Sequence, residues 1–312
     1  MKTVLVTGGL GFIFSHFCEL LLARGYKVIN VDKISYASNK DFKPESQNYT
    51  FIKADIKNLK ELPYCDFIVH AGACSHVDRS ISRNDEFVES NVLGTHNLLE
   101  LVCKKKINHI NLGWEYKGPV FIYISTDEVF GDIEQGFFQE DDRHNPSNPY
   151  SATKSSSEML VKAWGRTYGI PYRITRTTNN YGGRQHSEKL VPHIITQILN
   201  DGKVQVHGDG SYVRNWIYVK DNCNAVLNVL ENGQNGETYH IASDEEYSVL
   251  QIVKMISEKM GKRIEDVVEF VPNRSGQDLR YALDSSKIKS ELKWEQEYHM
   301  SDVLDQIIED YK

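Results

Sequence analysis

The 312-residue chain lacks an excess of positive charge: 36 Lys and Arg stand against 43 Asp and Glu, for a formal net charge of −7. Nucleic acid and anionic membrane surfaces are held by basic faces, so neither is expected as a partner. An anionic small molecule would need a local cluster of Arg and Lys. The five cysteines, Cys18, Cys65, Cys74, Cys103 and Cys223, are widely spaced, odd in number and form no C-x-x-C. That pattern speaks against a disulfide framework and for reduced thiols in the cytoplasm. The 11 histidines show no H-x-x-x-H or Cys/His grouping, so no metal is expected. No apolar run approaches a membrane span. The opening stretch MKTVLVTGG is too short for the core of an export signal, and no targeting segment is expected.

What is present is alternation. Short apolar runs at Val4–Val6, Lys27–Val31, Phe51–Ala54, Phe67–His70, Val120–Ser125 and Tyr172–Thr175 read as strands. Between them, Phe12–Arg24, with Phe17, Leu20 and Leu21 on one face, Phe87–Cys103 and Ser151–Tyr168 read as helices. Strand–helix alternation of this kind gives a doubly wound parallel sheet of the Rossmann type, covered on both faces. After about Thr177 the pattern loosens into Asn- and Gly-rich loops, with helices expected at Glu188–Leu199, Asn222–Leu230, Val249–Met260 and Ser301–Asp310. The expected organisation is a dinucleotide-binding domain over 1–176, onto which part of 214–244 packs, and a smaller interleaved α/β substrate lobe over 177–312. Neither an internal repeat nor a low-complexity linker divides them.

The first strand runs into Thr7-Gly8-Gly9-Leu10-Gly11-Phe12-Ile13-Phe14, and a helix follows. A glycine turn there lets backbone N–H groups reach a pyrophosphate at the positive end of the helix. The second strand ends at Asp32, placed to accept from ribose hydroxyls and to repel a 2′-phosphate, so NAD is expected rather than NADP. Phe14 breaks the pattern. It stands at the third glycine position, which normally permits close helix–strand packing. Its ring must push the helix outward, weakening NAD binding, or find a pocket in the core.

Tyr150 and Lys154 form Y-x-x-x-K on one helical face. A lysine ammonium beside a phenol, with a nicotinamide cation near, is expected to lower the tyrosine pKa toward neutrality and let it take a hydroxyl proton. Their partner is Ser125-Thr126-Asp127-Glu128, at the carboxyl end of a core strand, where parallel sheets present residues to the ligand crevice.

On these motifs the chain resembles the extended short-chain dehydrogenase/reductase family and, within it, the dTDP-glucose 4,6-dehydratases. Matching segments are TGGLGFI, NVDKISYA, ADI, SHVDRSI, ISTDEVFGD, NPYSATKSSSE, NNYG, EKLVP, VRNWIYVKDN, GETYHIAS and SGQDLRYALD. The resemblance covers nearly the whole chain. The resemblance implies a hydro-lyase that uses NAD to turn a nucleoside-diphosphate hexose into its 4-keto-6-deoxy form. It implies Thr126, Asp127, Glu128, Tyr150 and Lys154 as catalytic residues. Asp127 would donate a proton to the departing hydroxyl on sugar carbon 6, and Glu128 would take the proton from carbon 5. NAD would be held by Gly8, Gly11, Phe12, Ile13, Asp32, Lys33, Asp55, Ile56, Ala71, Ala73, Ser90 and Asn180, with Tyr150 and Lys154. The sugar nucleotide would meet Ser75, Thr126, Asn179, Lys189, Leu190, Gln205, His207, Arg214, Ser248, Arg274 and Gln277. A two-fold dimer through the two long helices is implied as well.

The departures gather at the nucleotide end. Family members commonly read R-P-G-H-D-R-R-Y where this chain has Arg274-Ser275-Gly276-Gln277-Asp278-Leu279-Arg280-Tyr281, and an aromatic residue often stands where His207 does. The chain is also shorter than usual, mainly in loops. TDP-glucose is the first candidate substrate, with UDP- and other NDP-sugars open. A 4-epimerase or decarboxylase on the same scaffold remains the alternative enzyme. Such enzymes need the tyrosine–lysine pair but usually carry a small residue at the Asp127 position. A non-catalytic NAD-binding sensor is the alternative outside enzymes.

Overall fold

The computed structural model describes residues 1–112, 118–273 and 278–312. Strand β1 (Thr3–Thr7) is buried at every position, as a strand covered on both faces must be. It pairs in parallel with β2 (Lys27–Asp32) on one side and with β4 (Phe67–His70) on the other. Strand β3 (Tyr49–Lys53) lies outside β2, while β5 (Val120–Thr126) and β6 (Tyr172–Thr177) continue beyond β4. The order β3-β2-β1-β4-β5-β6 reverses direction between β1 and β4. That reversal opens a crevice at the carboxyl ends of the strands. A seventh strand, Thr238–Ile241, comes from the later part of the chain and pairs in parallel with β6.

Alternate side chains of this sheet feed two cores. Val4, Val6, Val69 and Ile122 meet Phe17, Cys18 and Leu21 of the helix Phe12–Ala23 and Cys223 and Val226 of the helix Val219–Asn232. Leu5, Ile68, Phe121 and Tyr123 meet Leu98, Leu99 and Val102 of the helix Gly94–Asn111 and Val161 of the helix Pro149–Tyr168. Apolar area removed from water on both faces, at roughly 25 cal/mol per Å², is the main stabilising contribution. A charged pair lies inside it. Arg176 of β6 is fully buried, and its guanidinium donates to both oxygens of buried Glu158, Nη2 to Oε2 at 2.8 Å and Nε to Oε1 at 3.1 Å. A charge at that depth persists only when paired.

The remaining strands are short. Strand β7 (Asn179–Tyr181) pairs with β9 (Val213–Tyr218), which also takes β11 (Glu246–Ser248); β8 (Val204–His207) pairs with β12 (Val268–Val271). The strand Thr238–Ile241 is β10 in this numbering.

Two of the differences from the sequence reading bear on the site. The helix expected over Phe87–Cys103 is compound: Asn84–Phe87 is helical, Val88–Leu93 is π-helical, and Gly94–Asn111 continues as α-helix. The wider turn carries Ser90 and Asn91 on its buried side. Gly94 follows because a Cβ there would lie 2.7 Å from Ile56 Cδ1. The helix expected from Glu188 begins at Leu190, leaving Glu188 and Lys189 free of the helix and beside the crevice.

Candidate active site

The turn after β1 is built around glycine for two reasons. Gly8 has φ +72°, a region costly for other residues, and a Cβ there would come within 2.8 Å of Gly72 Cα at the end of β4. The turn is then tied down by side chains. Asn30 accepts from Gly9 N–H at 3.0 Å, and Asp32 accepts from Leu10 N–H at 3.1 Å and Ile34 N–H at 2.8 Å. No described side chain caps the helix Phe12–Ala23. Its first-turn N–H groups are therefore available to an anion. Phe14 takes the second of the two courses open to it. It is 6% exposed and meets Phe17 edge-to-face, ring centroids 5.6 Å apart, within the core. The first helical hydrogen bond, Ser15 N–H to Gly11 O, keeps its ordinary 2.9 Å.

At the end of β5, Thr126 donates its hydroxyl to Asp127 Oδ1 at 3.0 Å. Asp127 is 3% exposed, and its Oδ2 has no partner among the described residues. Burial first, and then the adjacent Glu128 charge, push the Asp127 carboxyl up to about 7. Glu128 is raised less far: burial lifts it, while an amide N–H from Asn148, donated to Oε2 at 3.1 Å, and the charges of Lys189 and Arg214 act the other way. Two neighbouring carboxyls thus differ in acidity, which suits them to different proton roles.

Tyr150 and Lys154 follow on the helix Pro149–Tyr168, both buried. Lys154 donates to Ile124 O and sits 4.3 Å from the centre of the Tyr123 ring. Burial brings its ammonium down to about 7, against the opposing charge of Glu158. The lowering expected of the tyrosine pKa counts a nicotinamide cation among its causes, and the surrounding protein by itself works against it. Burial, and then the negative charges of Glu128 and Asp127, hold the Tyr150 phenol well above its usual value, with a Thr126 hydrogen bond acting the other way. The ammonium hydrogen bond of Lys154 goes to the Ile124 carbonyl.

A cavity of about 500 Å³ runs along the strand ends. Gly8, Gly11, Phe12, Ile13, Asp32, Lys33, Asp55, Ile56, Ala71, Ala73, Ser90 and Asn180 line it, and Thr126, Asp127, Glu128, Tyr150 and Lys154 continue the same wall. Asp127 Oδ2 and Asn180 Oδ1, both buried and without a partner among the described residues, belong to residues of this wall. Such groups are satisfied when a ligand supplies their hydrogen bonds. The glycine turn, the acid after β2 and these open polar atoms together fit a dinucleotide.

Residues 5–307 match the family model for GDP-mannose 4,6 dehydratase. The chain belongs to that family. It is 43% identical to the low-salt glycan biosynthesis protein Agl12 of Haloferax volcanii, over 99% of this chain and 98% of that one. It is 39% identical to the dTDP-glucose 4,6-dehydratase of Haemophilus influenzae, over 100% and 98% of the two chains. The crystal structure of the Streptomyces venezuelae dTDP-glucose 4,6-dehydratase DesIV, with NAD and TYD bound, superposes with a TM-score of 0.91 at 37% identity, covering 99% of this chain and 96% of that one.

Family membership directs attention to the other end of the cavity. Ser75, Asn179, Lys189 and Leu190 line it. Arg214 stands outside the cavity wall but close enough for its charge to act on both Asp127 and Glu128. Its guanidinium donates to Val213 O, Leu279 O and Asp278 O and lies 4.3 Å from the Tyr281 ring centre. Gln205 and His207, on β8, and Ser248 are not among the lining residues. Ser248 caps the helix Val249–Lys259, accepting from Gln251 N–H at 3.2 Å. Arg274 and Gln277 lie outside the described residues.

The sequence reading passed over a group at the rim. Glu188 accepts from Tyr36 O–H at 2.9 Å and lies 3.7 Å from Arg79 and 3.6 Å from His76. Tyr36, Arg79 and Glu188 all line the cavity. Each lies in or beside a segment quoted for the resemblance, but nothing in the spacing joins three such distant segments. Asn148 was passed over too, although Asn-Pro-Tyr-Ser ahead of a helix is a legible capping signal.

Proposed function

We propose that this protein is an NAD-dependent nucleoside-diphosphate-hexose 4,6-dehydratase whose substrate is dTDP-glucose. The observation that carries the reading is the unlike pair at the end of β5. Asp127 is a buried carboxyl held near neutral pH with an unpartnered oxygen, and beside it Glu128 is less strongly raised and faces the cavity. An epimerase or decarboxylase has no use for a protonated acid over carbon 6. A sensor has no use for the pair at all.

The dinucleotide is assigned to the glycine turn, Asp32 and the wall that follows, from Lys33, Asp55 and Ile56 to Ala71, Ala73, Ser90 and Asn180. NAD bound there supplies a hydride acceptor that gives back what it takes, and a ring cation beside the phenol. Tyr150 accepts the proton of the carbon 4 hydroxyl, and Thr126 hydrogen-bonds that oxygen. A ketone at carbon 4 acidifies the carbon 5 proton, which Glu128 removes. Asp127 gives its proton to the carbon 6 hydroxyl, which leaves as water. Glu128 returns its proton to carbon 5 as hydrogen arrives at carbon 6, and the proton gained by Tyr150 balances the one lost by Asp127. The hexose loses one water and no net electrons. Ser75, Asn179, Lys189 and Leu190 are assigned to the sugar nucleotide. Lys189 is a cation on the cavity wall at this end, and the Arg214 guanidinium stands outside that wall.

Incubation with dTDP-glucose should yield a product lighter by one water, measured by mass spectrometry. Asp127→Asn should still form reduced cofactor, seen by its absorbance, yet lose water about 10²–10⁴-fold more slowly. Equal loss of both steps would remove the assigned role.

The same reading includes a homodimer in the cytoplasm. Val88, Leu93 and Met159 are exposed apolar residues on the two long helical segments, an arrangement suited to a helical interface. The five cysteines are free, as a reducing compartment keeps them. No helix among the described residues is long and apolar enough to cross a membrane.

A further inference from the structure

We infer that Asn148 is a positioning residue: its one amide holds the Glu128 carboxylate against the start of the helix that carries Tyr150 and Lys154, coupling the proton acceptor to the tyrosine–lysine pair. The inference rests on the reading of Glu128 as the base for the carbon 5 proton.

The two ends of the amide do different work. Nδ2 donates to Glu128 Oε2 at 3.1 Å, while Oδ1 accepts from Ser151 N–H at 2.9 Å at the first turn of the helix. Ser151 O–H in turn donates to Asn148 O at 3.0 Å, and Pro149 fills the first helical position. The backbone leading to Asn148 is fixed independently. Asn145 N–H donates to Val129 O at 3.0 Å, and Gly131 faces Asn145 O so closely that a Cβ would come within 2.4 Å of it. Ser147 O–H donates to Asp278 Oδ1 at 2.8 Å. The segment 145–148 is thus laid along the turn that follows β5, and the amide spans what remains. Ser or Asp would cap the helix about as well as Asn. Neither carries a second arm with an N–H for the carboxylate.

Other charged groups also face Glu128. Asp127 is its neighbour in the chain, Tyr150 lies on the helix, Lys189 precedes the helix Leu190–Leu199, Arg214 comes from β9, and Asp278 and Tyr281 come from the last third of the chain. Lys189 and Arg214 favour the ionised carboxylate, whereas Asp278 opposes it. The Asn148 amide opposes the burial that raises the group. Its loss must therefore make Glu128 a carboxyl that ionises at higher pH.

The test is the pH dependence of kcat/KM for water loss in Asn148→Ser and Asn148→Asp, both of which keep a helix cap. The acid limb should move up by about one pH unit in Asn148→Ser, with activity about tenfold lower on that limb. It should move further in Asn148→Asp, which sets a second carboxylate beside the first. Thermal melting of both variants near that of the parent excludes a fold defect, and either variant suffices if the other is unstable. An acid limb that stays where it was in a folded variant overturns the inference. Glu128→Gln separates this result from failure of the underlying reading. If Glu128→Gln still exchanges the carbon 5 proton, Glu128 is not the base. If it does not, while the Asn148 limb is unmoved, only the role given to Asn148 falls.

Discussion

The two ends of one cavity differ in how they are made. At the dinucleotide end, most wall residues sit on or just after a strand of the seven-stranded parallel sheet, where the strand order reverses between β1 and β4, with Ser90 coming from the π-helical stretch and Asn180 from β7. At the sugar-nucleotide end, the candidate residues come from β7, β8, β9 and β11, in two- and three-stranded sheets, and from connecting loops. A wide sheet buried on both faces fixes the position of its strand ends, and a glycine turn, an acid and a Y-x-x-x-K can be read onto it by spacing alone. Small sheets fix less. Gln205, His207 and Ser248 carry the right chemistry but stand away from the cavity wall, while Tyr36, Arg79 and Glu188 reach it unannounced.

The sharpest way to break this contrast is at Tyr150, where the rigid end does its chemistry. Tyr150→Phe keeps the ring edge against Phe87, at a centroid distance of 6.3 Å, and removes only the oxygen. Turnover should fall about 10²–10⁴-fold while NAD affinity, measured by calorimetry, stays within about threefold. A large loss of NAD affinity would mean that the phenol belongs to binding rather than to proton transfer.

What the sequence made legible follows the same division. The strand–helix alternation, the turn at Gly8, Asp32, and the run Thr126 to Glu128 all rest on local pattern, and the residues named line the cavity. The π-helical stretch at Val88–Leu93 escaped because a 3.6-residue period cannot register an inserted residue. The upward pull of the protein on the Tyr150 phenol is not legible in the Y-x-x-x-K spacing, because it comes from burial and from the charges of Glu128 and Asp127 on another element. The buried pair Arg176–Glu158 was invisible because two charges far apart in sequence give no hint of sharing a core.

Phe14 asks what the rigid end costs when its pattern is broken. Its ring lies in the core beside Phe17. Phe14→Ala should therefore lower stability by about 3–5 kcal/mol, the usual range for emptying a buried aromatic site, as read by denaturant unfolding. If the ring instead pried the helix from the sheet, the same change would raise stability and tighten NAD binding.

An effect of opposite sign is expected at Asp127. Its carboxyl titrates near 7 in the folded protein and near the ordinary carboxylate value when unfolded. Between those values the unfolded chain has already released the proton and the folded protein has not, so stability contributed by this group is full in acid and lost as pH rises toward 7. Asp127→Asn removes that dependence. The variant should be more stable than the parent at pH 8, by up to about 4 kcal/mol, and equal to it near pH 3. A residue kept at the expense of stability is what a catalytic role predicts. No gain at pH 8 would imply that Asp127 ionises normally, and the proton-donor role would go with it.

The smallest effect tests the loosely built end. Ser248 was assigned to the substrate by resemblance, yet its hydroxyl accepts from Gln251 N–H while Gln251 Oε1 accepts from Ser248 N–H at 2.7 Å. A hydroxyl so engaged has one job, to start the helix Val249–Lys259. Ser248→Ala should then lower stability by about 1 kcal/mol, and Ser248→Asp should restore it, because Asp caps as well as Ser. KM for the sugar nucleotide should be the same in both variants as in the parent. Were the hydroxyl a substrate contact, the pattern would invert: KM would rise in both, most in Ser248→Asp, whose charge faces an anionic ligand, and melting would barely move. The two outcomes separate a residue that shapes the nucleotide end from one that touches the nucleotide, a distinction that sequence spacing does not carry at this end of the cavity.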